Sequence, residues 1–325
     1  MSRNLLCFVA ATLLASAMPL SATAQQYPNK PIRMINPNAP GGVSDRMSRM
    51  IAKAMEPHLG QAVVVENRAG AAGVVGIESV LRSAPDGYTV GNTCPGSAVI
   101  LPMTGVAVPY DFEKDALVVG MMGGLDVLIT TRGDSSIRTI EQLVAEAKAK
   151  PGKLSIGMVQ TPANVVPVAY LAQRAGVELN IIGYKGEALA LNDLLGGTIQ
   201  FAINAPGTVL QHIQAGTVRP VLMLNKDRNP AMPDVPSFSD TKVEGFAPGN
   251  YCVFYMPKGT PADVVRRFNA VLNEVGKDPA LRNAYTKEGL VPYIGGTPSE
   301  ASAFFNDIGQ RWRGVLKEVD YSKFR

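Results

Sequence analysis

The sequence predicts an α/β protein of two lobes joined by two crossing strands, with a cleft between them. Three observations predict it. Short strand-like runs alternate with segments of helical period, the pattern of parallel sheets with helices on both faces. Once a leader is removed, about 300 residues remain, more than one small core needs. Pro/Gly-rich stretches at 230–236 and 245–249 precede a late strand, Tyr251–Met256, which would return the chain to its first lobe. The expected division is 25–124 plus 251–325 for lobe one and 125–250 for lobe two.

The elements follow in order. Pro31–Asn36 reads as a strand, and Pro37-Asn38-Ala39-Pro40-Gly41-Gly42 as a turn. A helix then starts near Ser44, with Val43, Met47, Met50, Ile51, Ala54 and Met55 on one face and Gly60 at its end. Ala62–Glu66 is expected as a buried strand, followed by a Gly-rich turn, a helix to Ser83 and a strand at Tyr88–Asn92. Leu125–Thr131 is the expected crossing strand. Thr139 and Gln142 then suit a capping box, and Lys153–Met158 a strand. A helix at Asn164–Ala175 ends on Gly176. Strands near Leu179–Gly183, Thr198–Asn204 and Arg219–Leu224 alternate with helices at Glu187–Leu195 and Gly207–Ala215. After Tyr251–Met256 come three helix starts, Thr260-Pro261, Asp278-Pro279 and Thr297-Pro298, each a capping residue before a proline.

The first residues set the compartment. Arg3, the apolar run Leu5–Leu20 and Ala22-Thr23-Ala24 form a secretory signal pattern, with cleavage expected after Ala24. No other stretch is long and apolar enough to span a bilayer. The chain is 46% hydrophobic and 18% charged with a formal charge of +4, and its basic residues are spread out, which excludes a nucleic-acid partner. Cys94 and Cys252 remain after the leader. A bond between them is permitted in an oxidising compartment, but two isolated buried thiols are favoured.

Catalytic signals are thin. His58 and His212, the two histidines, sit at a helix end and in a short helix. HExxH, CxxC, GxSxG and P-loop motifs are absent, and no cofactor is called for. Cys94 before Pro95-Gly96-Ser97 is the one candidate nucleophile, and no histidine base lies near it in sequence. Binding chemistry is better supported. In open α/β sheets, ligands sit beyond the carboxyl ends of strands, where helix starts present unpaired N–H groups able to hold a carboxylate. Three turns qualify: Ala39–Asp45, Gly91–Ser97 and Met158–Asn164. Gly41 and Gly42 let a ligand approach the backbone, and Ser44 adds a hydroxyl. Asp45 would repel an anion, so it is expected to orient a water or receive a ligand ammonium.

These turns also carry a family resemblance. Lys30-Pro31-Ile32-Arg33, Pro37–Asp45, Gly60–Gly70, Ala84-Pro85-Asp86-Gly87-Tyr88-Thr89, Val108-Pro109-Tyr110-Asp111-Phe112 and Lys150-Pro151-Gly152-Lys153-Leu154 resemble the tripartite tricarboxylate transporter receptors, the Bug family. Tyr184-Lys185-Gly186, Asp193–Gly197, Pro233–Pro236 and Pro257–Pro261 continue the series over essentially the whole mature chain. The resemblance implies a type II periplasmic-binding-protein fold with Venus-flytrap closure. It implies a small carboxylate ligand (di-, tri- or aromatic) held by backbone amides, and a membrane permease as partner. The chain departs from the family at Val159–Asn164, where Pro162 removes an N–H, at Cys94–Ser97, and at Tyr251–Phe254. The candidate ligand contacts are Pro40, Gly41, Gly42, Ser44, Asp45, Thr93, Cys94, Ser97, Gln160, Thr161, Asn164, Tyr184 and Asn204. A periplasmic monomer, free to close, is expected. The alternatives are a Cys94-dependent hydrolase on the same architecture and a receptor that signals to a sensor.

Overall fold

The computed structural model describes residues 27–241 and 250–319. The leader call at 1–24 and the Gly-rich stretch at 245–249 lie outside the described residues.

The first sheet holds β1 (Ile32–Asn36), β2 (Val63–Asn67), β3 (Thr89–Thr93), β4 (Ala116–Gly124) and β10 (Tyr251–Pro257), in the order β2-β1-β3-β10-β4. The second holds β5 (Leu128–Arg132), β6 (Ser155–Val159), β7 (Asn180–Tyr184), β8 (Phe201–Asn204) and β9 (Val218–Met223), in the order β7-β6-β8-β5-β9. The helices are α1 (Val43–Leu59), α2 (Val74–Leu81), α3 (Ile140–Ala149), α4 (Pro162–Ala175), α5 (Glu187–Leu195), α6 (Pro206–Gln214), α7 (Ala262–Lys277), α8 (Pro279–Lys287) and α9 (Pro298–Glu318), with short helical turns between them.

Both sheets are mixed, not parallel. β1 runs parallel to β2 and β3, and β6 to β7 and β8, because helices carry the chain back between them. β10 runs against β3 and β4, and β5 against β8 and β9. The reason is topological: β5 and β10 each enter their sheet directly after a crossing and run away from the hinge. The expected strand Leu125–Thr131 starts three residues late, as β5, and a separate strand that was not expected, β4, precedes the crossing. β4 ends at Gly124 in the first sheet, and β5 starts at Leu128 in the second. β4 escapes a pattern reading because its glycines answer to neighbours. A Cβ at Gly120 would lie 2.5 Å from Leu272 Cδ2, and one at Gly124 would lie 2.9 Å from Tyr251 Cε1. β2 is an edge strand with Val64 exposed, not a buried strand.

Each sheet is covered on both faces. Ile32, Met34, Met47, Ile51, Phe254, Phe268 and Tyr285 pack β1, β10, α1, α7 and α8 together. Ile35, Ile77, Val253 and Phe305 fill the opposite face. In the second sheet, Ile129, Ile156, Leu143 and Tyr170 pack on one face, and Ala202, Leu191, Leu194 and Val209 on the other. The terminal helix α9 serves both lobes: Phe305 joins the first core, while Trp312 and Val315 join the second.

Candidate functional site

Strand register places the two sheets' carboxyl ends on the hinge side. Thr93, at the end of β3, pairs with Val253 near the start of β10, and the Leu125 N–H donates to the Asn250 carbonyl at 2.8 Å. In the other lobe Asn204, at the end of β8, pairs with Leu128 at the start of β5. The turns that follow β1, β2 and β3 therefore oppose those that follow β6, β7 and β8.

In the first lobe the three turns touch. A Cβ on Gly73 would lie 2.7 Å from Ser97 Oγ and 3.4 Å from Pro37 Cβ, so Pro37, Gly73 and Ser97 meet at one point. Asn38 to Gly42 are exposed, as a ligand cradle needs. Gly42 precedes α1 in extended backbone, and no side chain caps the helix's first turn. Its leading N–H groups have no intrahelical acceptor and keep their partial positive charge.

Asp45 has a different role from the one expected. It is buried, and its Oδ2 accepts the Gly41 N–H at 2.9 Å. Asn67 Nδ2 donates to Oδ1 at 2.9 Å, and Arg49 Nε to Oδ2 at 3.1 Å. Burial alone would raise its pKa, but the Arg49 guanidinium and these donors outweigh it and hold the carboxyl below its ordinary value. Asp45 braces the turn and has no capacity left for a ligand ammonium. Arg46 completes the clamp, donating through Nη1 to the Gly41 carbonyl at 3.0 Å. Ser44 is also turned inward: its hydroxyl faces Asn36 Oδ1 at 2.9 Å and Asn92 Oδ1 at 3.3 Å. Thr93 is buried, with its hydroxyl on the Cys94 carbonyl at 3.2 Å. Ser97 is half-buried beside Gly73.

Cys94 is bonded to Cys252, which corrects the favoured reading of two isolated thiols. Cys94 follows Thr93 and Cys252 precedes Val253, the paired residues of adjacent antiparallel strands, so register brings the two cysteines face to face where spacing along the chain could not show it. The bond leaves Cys94 no thiolate and removes the hydrolase alternative.

In the second lobe Gln160 and Thr161 are exposed at the start of α4, and Thr161 does not cap it. Asn164 is buried, with its Nδ2 donating to the Val159 carbonyl at 3.0 Å, and so stiffens the turn. Tyr184 is half-buried and donates to Asp193 Oδ2 at 2.6 Å. Burial, then the Asp193 hydrogen bond, pushes its phenol up to about 12. Its hydroxyl is thus spent within the lobe. α5 starts on Gly186 without a side-chain cap. At α6 a carboxylate already fills the start: Glu187 Oε2 accepts the Ala205 N–H at 3.0 Å and the Thr208 hydroxyl at 2.7 Å.

Asn204 is wholly buried. Its Oδ1 accepts the Thr130 hydroxyl at 2.8 Å, and its Nδ2 has no partner. Asn36, which sequence reasoning missed, repeats the arrangement in the first lobe, with its Oδ1 facing Ser44 and its Nδ2 unpaired. The available signal was a polar residue closing an apolar strand run. The Gly70–Gly73 turn was also passed over as an ordinary turn. Ala71 and Ala72 both hold positive φ, 44° and 55°, which is costly for residues with a Cβ and marks a turn fixed by its surroundings.

Among the described residues no lysine or arginine side chain is buried, and Asp45 and Asp126 are the buried charged groups. An anion held here would meet main-chain N–H groups rather than an enclosed cation.

Residues 47–321 match the model of the tripartite tricarboxylate transporter family receptor. The chain is 32% identical to Protein BugT of Bordetella pertussis over 318 residues, covering 97% of both chains. It superposes on the periplasmic binding protein BugD with a TM-score of 0.72 and 29% identity, over 90% of this chain and 98% of that one. An R. palustris protein solved with adipate shares the fold at a TM-score of 0.77 and 24% identity, over 90% of this chain and 97% of the other. The match over residues 47–321 and the 32% identity to BugT, carried on two mixed α/β lobes of the periplasmic-binding-protein type, make this chain a member of the tripartite tricarboxylate transporter receptor family.

Proposed function

We propose that the protein captures a small carboxylate between its lobes in the periplasm and passes it to a membrane permease of the tripartite tricarboxylate type. Residues 1–24 act as the cleaved leader, and the hinge lies at 124/125 and 250/251. The observation that carries the reading is the set of helix starts without a side-chain cap on the hinge side of both lobes: Gly42 before α1, Thr161 before α4 and Gly186 before α5. Donors on both sides suit a ligand with an acceptor at each end, and the adipate found in the R. palustris neighbour is a ligand of that kind. The Cys94–Cys252 bond supports an oxidising compartment. The protein works as a monomer whose lobes close freely.

A thermal-shift and calorimetry panel of mono-, di-, tri- and aromatic carboxylates tests the reading. A binder raises the melting temperature by mass action. Gly42→Val places a branched side chain where the ligand approaches the backbone. Gly42 has φ −70° and ψ 168°, a conformation valine accepts, so the fold is kept. Affinity should fall by about 100-fold, or about 2.7 kcal/mol. A panel without a single binder, or a valine variant of unchanged affinity, removes the proposal.

A further inference from the structure

Asp126 lies in the crossing between β4 and β5, is 3% exposed and has no cationic partner among the described residues. Its carboxylate is held by two amides of the second lobe. Asn225 Nδ2 donates to Oδ1, and Asn229 Nδ2 donates to Oδ2 at 2.8 Å. Burial pushes the carboxyl up to about 6 in spite of these amides, with Asp227 adding to the rise. An acid kept in so unfavourable a place needs a reason.

Asn229 suggests the reason. It is wholly buried, and every polar atom of its side chain is committed. Its Oδ1 accepts the Ala231 N–H at 2.8 Å. One N–H goes to Asp126, and the other crosses to the first lobe, donating to the Gly289 carbonyl at 2.9 Å. The same turn meets the second lobe again. A Cβ on Gly207 would lie 2.5 Å from the Glu288 carbonyl oxygen, and one on Gly289 would lie 2.4 Å from Pro206 Cβ. Glu288 in turn receives Arg46 Nε at 3.0 Å, and Arg46 holds the Gly41 carbonyl. The contact between the lobes and the candidate carboxylate turn are therefore linked through one short segment.

We infer that Asp126 and Asn229 form a latch that sets how tightly the closed protein holds its ligand. Asp126 fixes the Asn229 amide, Asn229 docks the second lobe on the Glu288–Gly289 turn, and opening breaks the Asn229–Gly289 hydrogen bond. Asn229 is a positioning residue and does not touch the ligand. A ligand that selects the closed state binds more weakly as that state becomes less populated, so loosening the latch raises Kd without altering the site. The inference rests on the proposed receptor function for its ligand arm only.

Two variants test it. Asn229→Ala deletes the latch. The double variant Asp126→Asn with Asn229→Asp exchanges the two groups. The amide at position 126 can still accept from Asn225 and donate to the carboxylate at 229, but nothing donates to the Gly289 carbonyl. Small-angle scattering without ligand should show a larger radius of gyration for both variants than for the wild type. Stopped-flow release of adipate should be about tenfold faster in both, because the closed state loses roughly one hydrogen bond's stabilisation. A purely structural role would lower the melting temperature of Asn229→Ala, spare the exchanged pair, and leave both radius and release rate at wild-type values; that result overturns the inference. A wild type that binds no carboxylate defeats the receptor reading, and the scattering arm still decides the latch.

Discussion

The helix starts of this molecule divide into two sets. Away from the hinge they are closed by their own chain. Thr139 caps α3, Asp278 caps α8, and Thr297 with Glu300 forms a full capping box on α9. On the hinge side α1, α4 and α5 begin on Gly42, Thr161 and Gly186 with no side-chain cap, and α6 is filled by Glu187 from a neighbouring helix. α7 is the exception among the distal starts, because Thr260 turns its hydroxyl to the Pro257 carbonyl and leaves Pro261 at the cap position. A missing cap costs about 1 kcal/mol. Several such losses gathered on one side of the protein make sense if another molecule supplies the acceptors. The bare turns are accordingly fixed by other means, with Asp45, Arg49 and Asn67 bracing one and the Cys94–Cys252 bond anchoring another.

The largest effect expected from breaking this contrast is loss of that anchor. The disulfide joins residues 158 apart in sequence. Replacing Cys94 and Cys252 by serine should lower stability by about 2–4 kcal/mol, read from the midpoint of denaturant unfolding. Carboxylate affinity should fall with it, because the Pro95–Ser97 turn loses its tether, while the capped helices keep their contacts. An unchanged midpoint would show that strand pairing alone holds this turn.

A second change would convert a bare start into a filled one. Thr161→Asp places a carboxylate at the start of α4, where Thr161 makes no cap at present. Helix stability should rise by about 1 kcal/mol. Affinity for a dicarboxylate should fall by about tenfold, because the new acid occupies the amides and repels the ligand's second end. The sign is what matters here, with melting temperature and Kd rising together. A rise in melting temperature at constant Kd would place the ligand's distal group elsewhere in the second lobe.

Much of this was legible in the sequence. Helical period located α1, and Gly60 ends it in a left-handed turn as expected. Glu187–Leu195 falls where it was read, and Thr297 and Asp278 cap their helices as expected. The bare turn at Gly41-Gly42 could be found because glycine before an apolar period is a local signal. Asp45 could be assigned only in part: Arg49 lies one turn along the same helix, but Asn67 reaches its carboxylate only when β2 lies beside β1. Tyr184 looked available for the same reason, since Asp193 reaches it from the next helix. Asn204 was named from the sequence and Asn36 carried the same signal, but the disulfide and β4 depend on register between distant strands, and chain spacing carries no trace of that.

The smallest expected effect is the control for the whole contrast. Thr297→Ala removes the hydroxyl that accepts the Glu300 N–H at 3.1 Å and donates to its carboxylate at 2.9 Å. The Thr297 N–H keeps its bond to Glu300 Oε2 at 2.8 Å, so only half of the box is lost. Stability should fall by about 1 kcal/mol, and Kd for any bound carboxylate should not move. α9 packs on both lobes, so a Kd that did shift would mean its first turn takes part in closure. The division would then lie between helices that move and helices that do not, rather than between capped and bare starts.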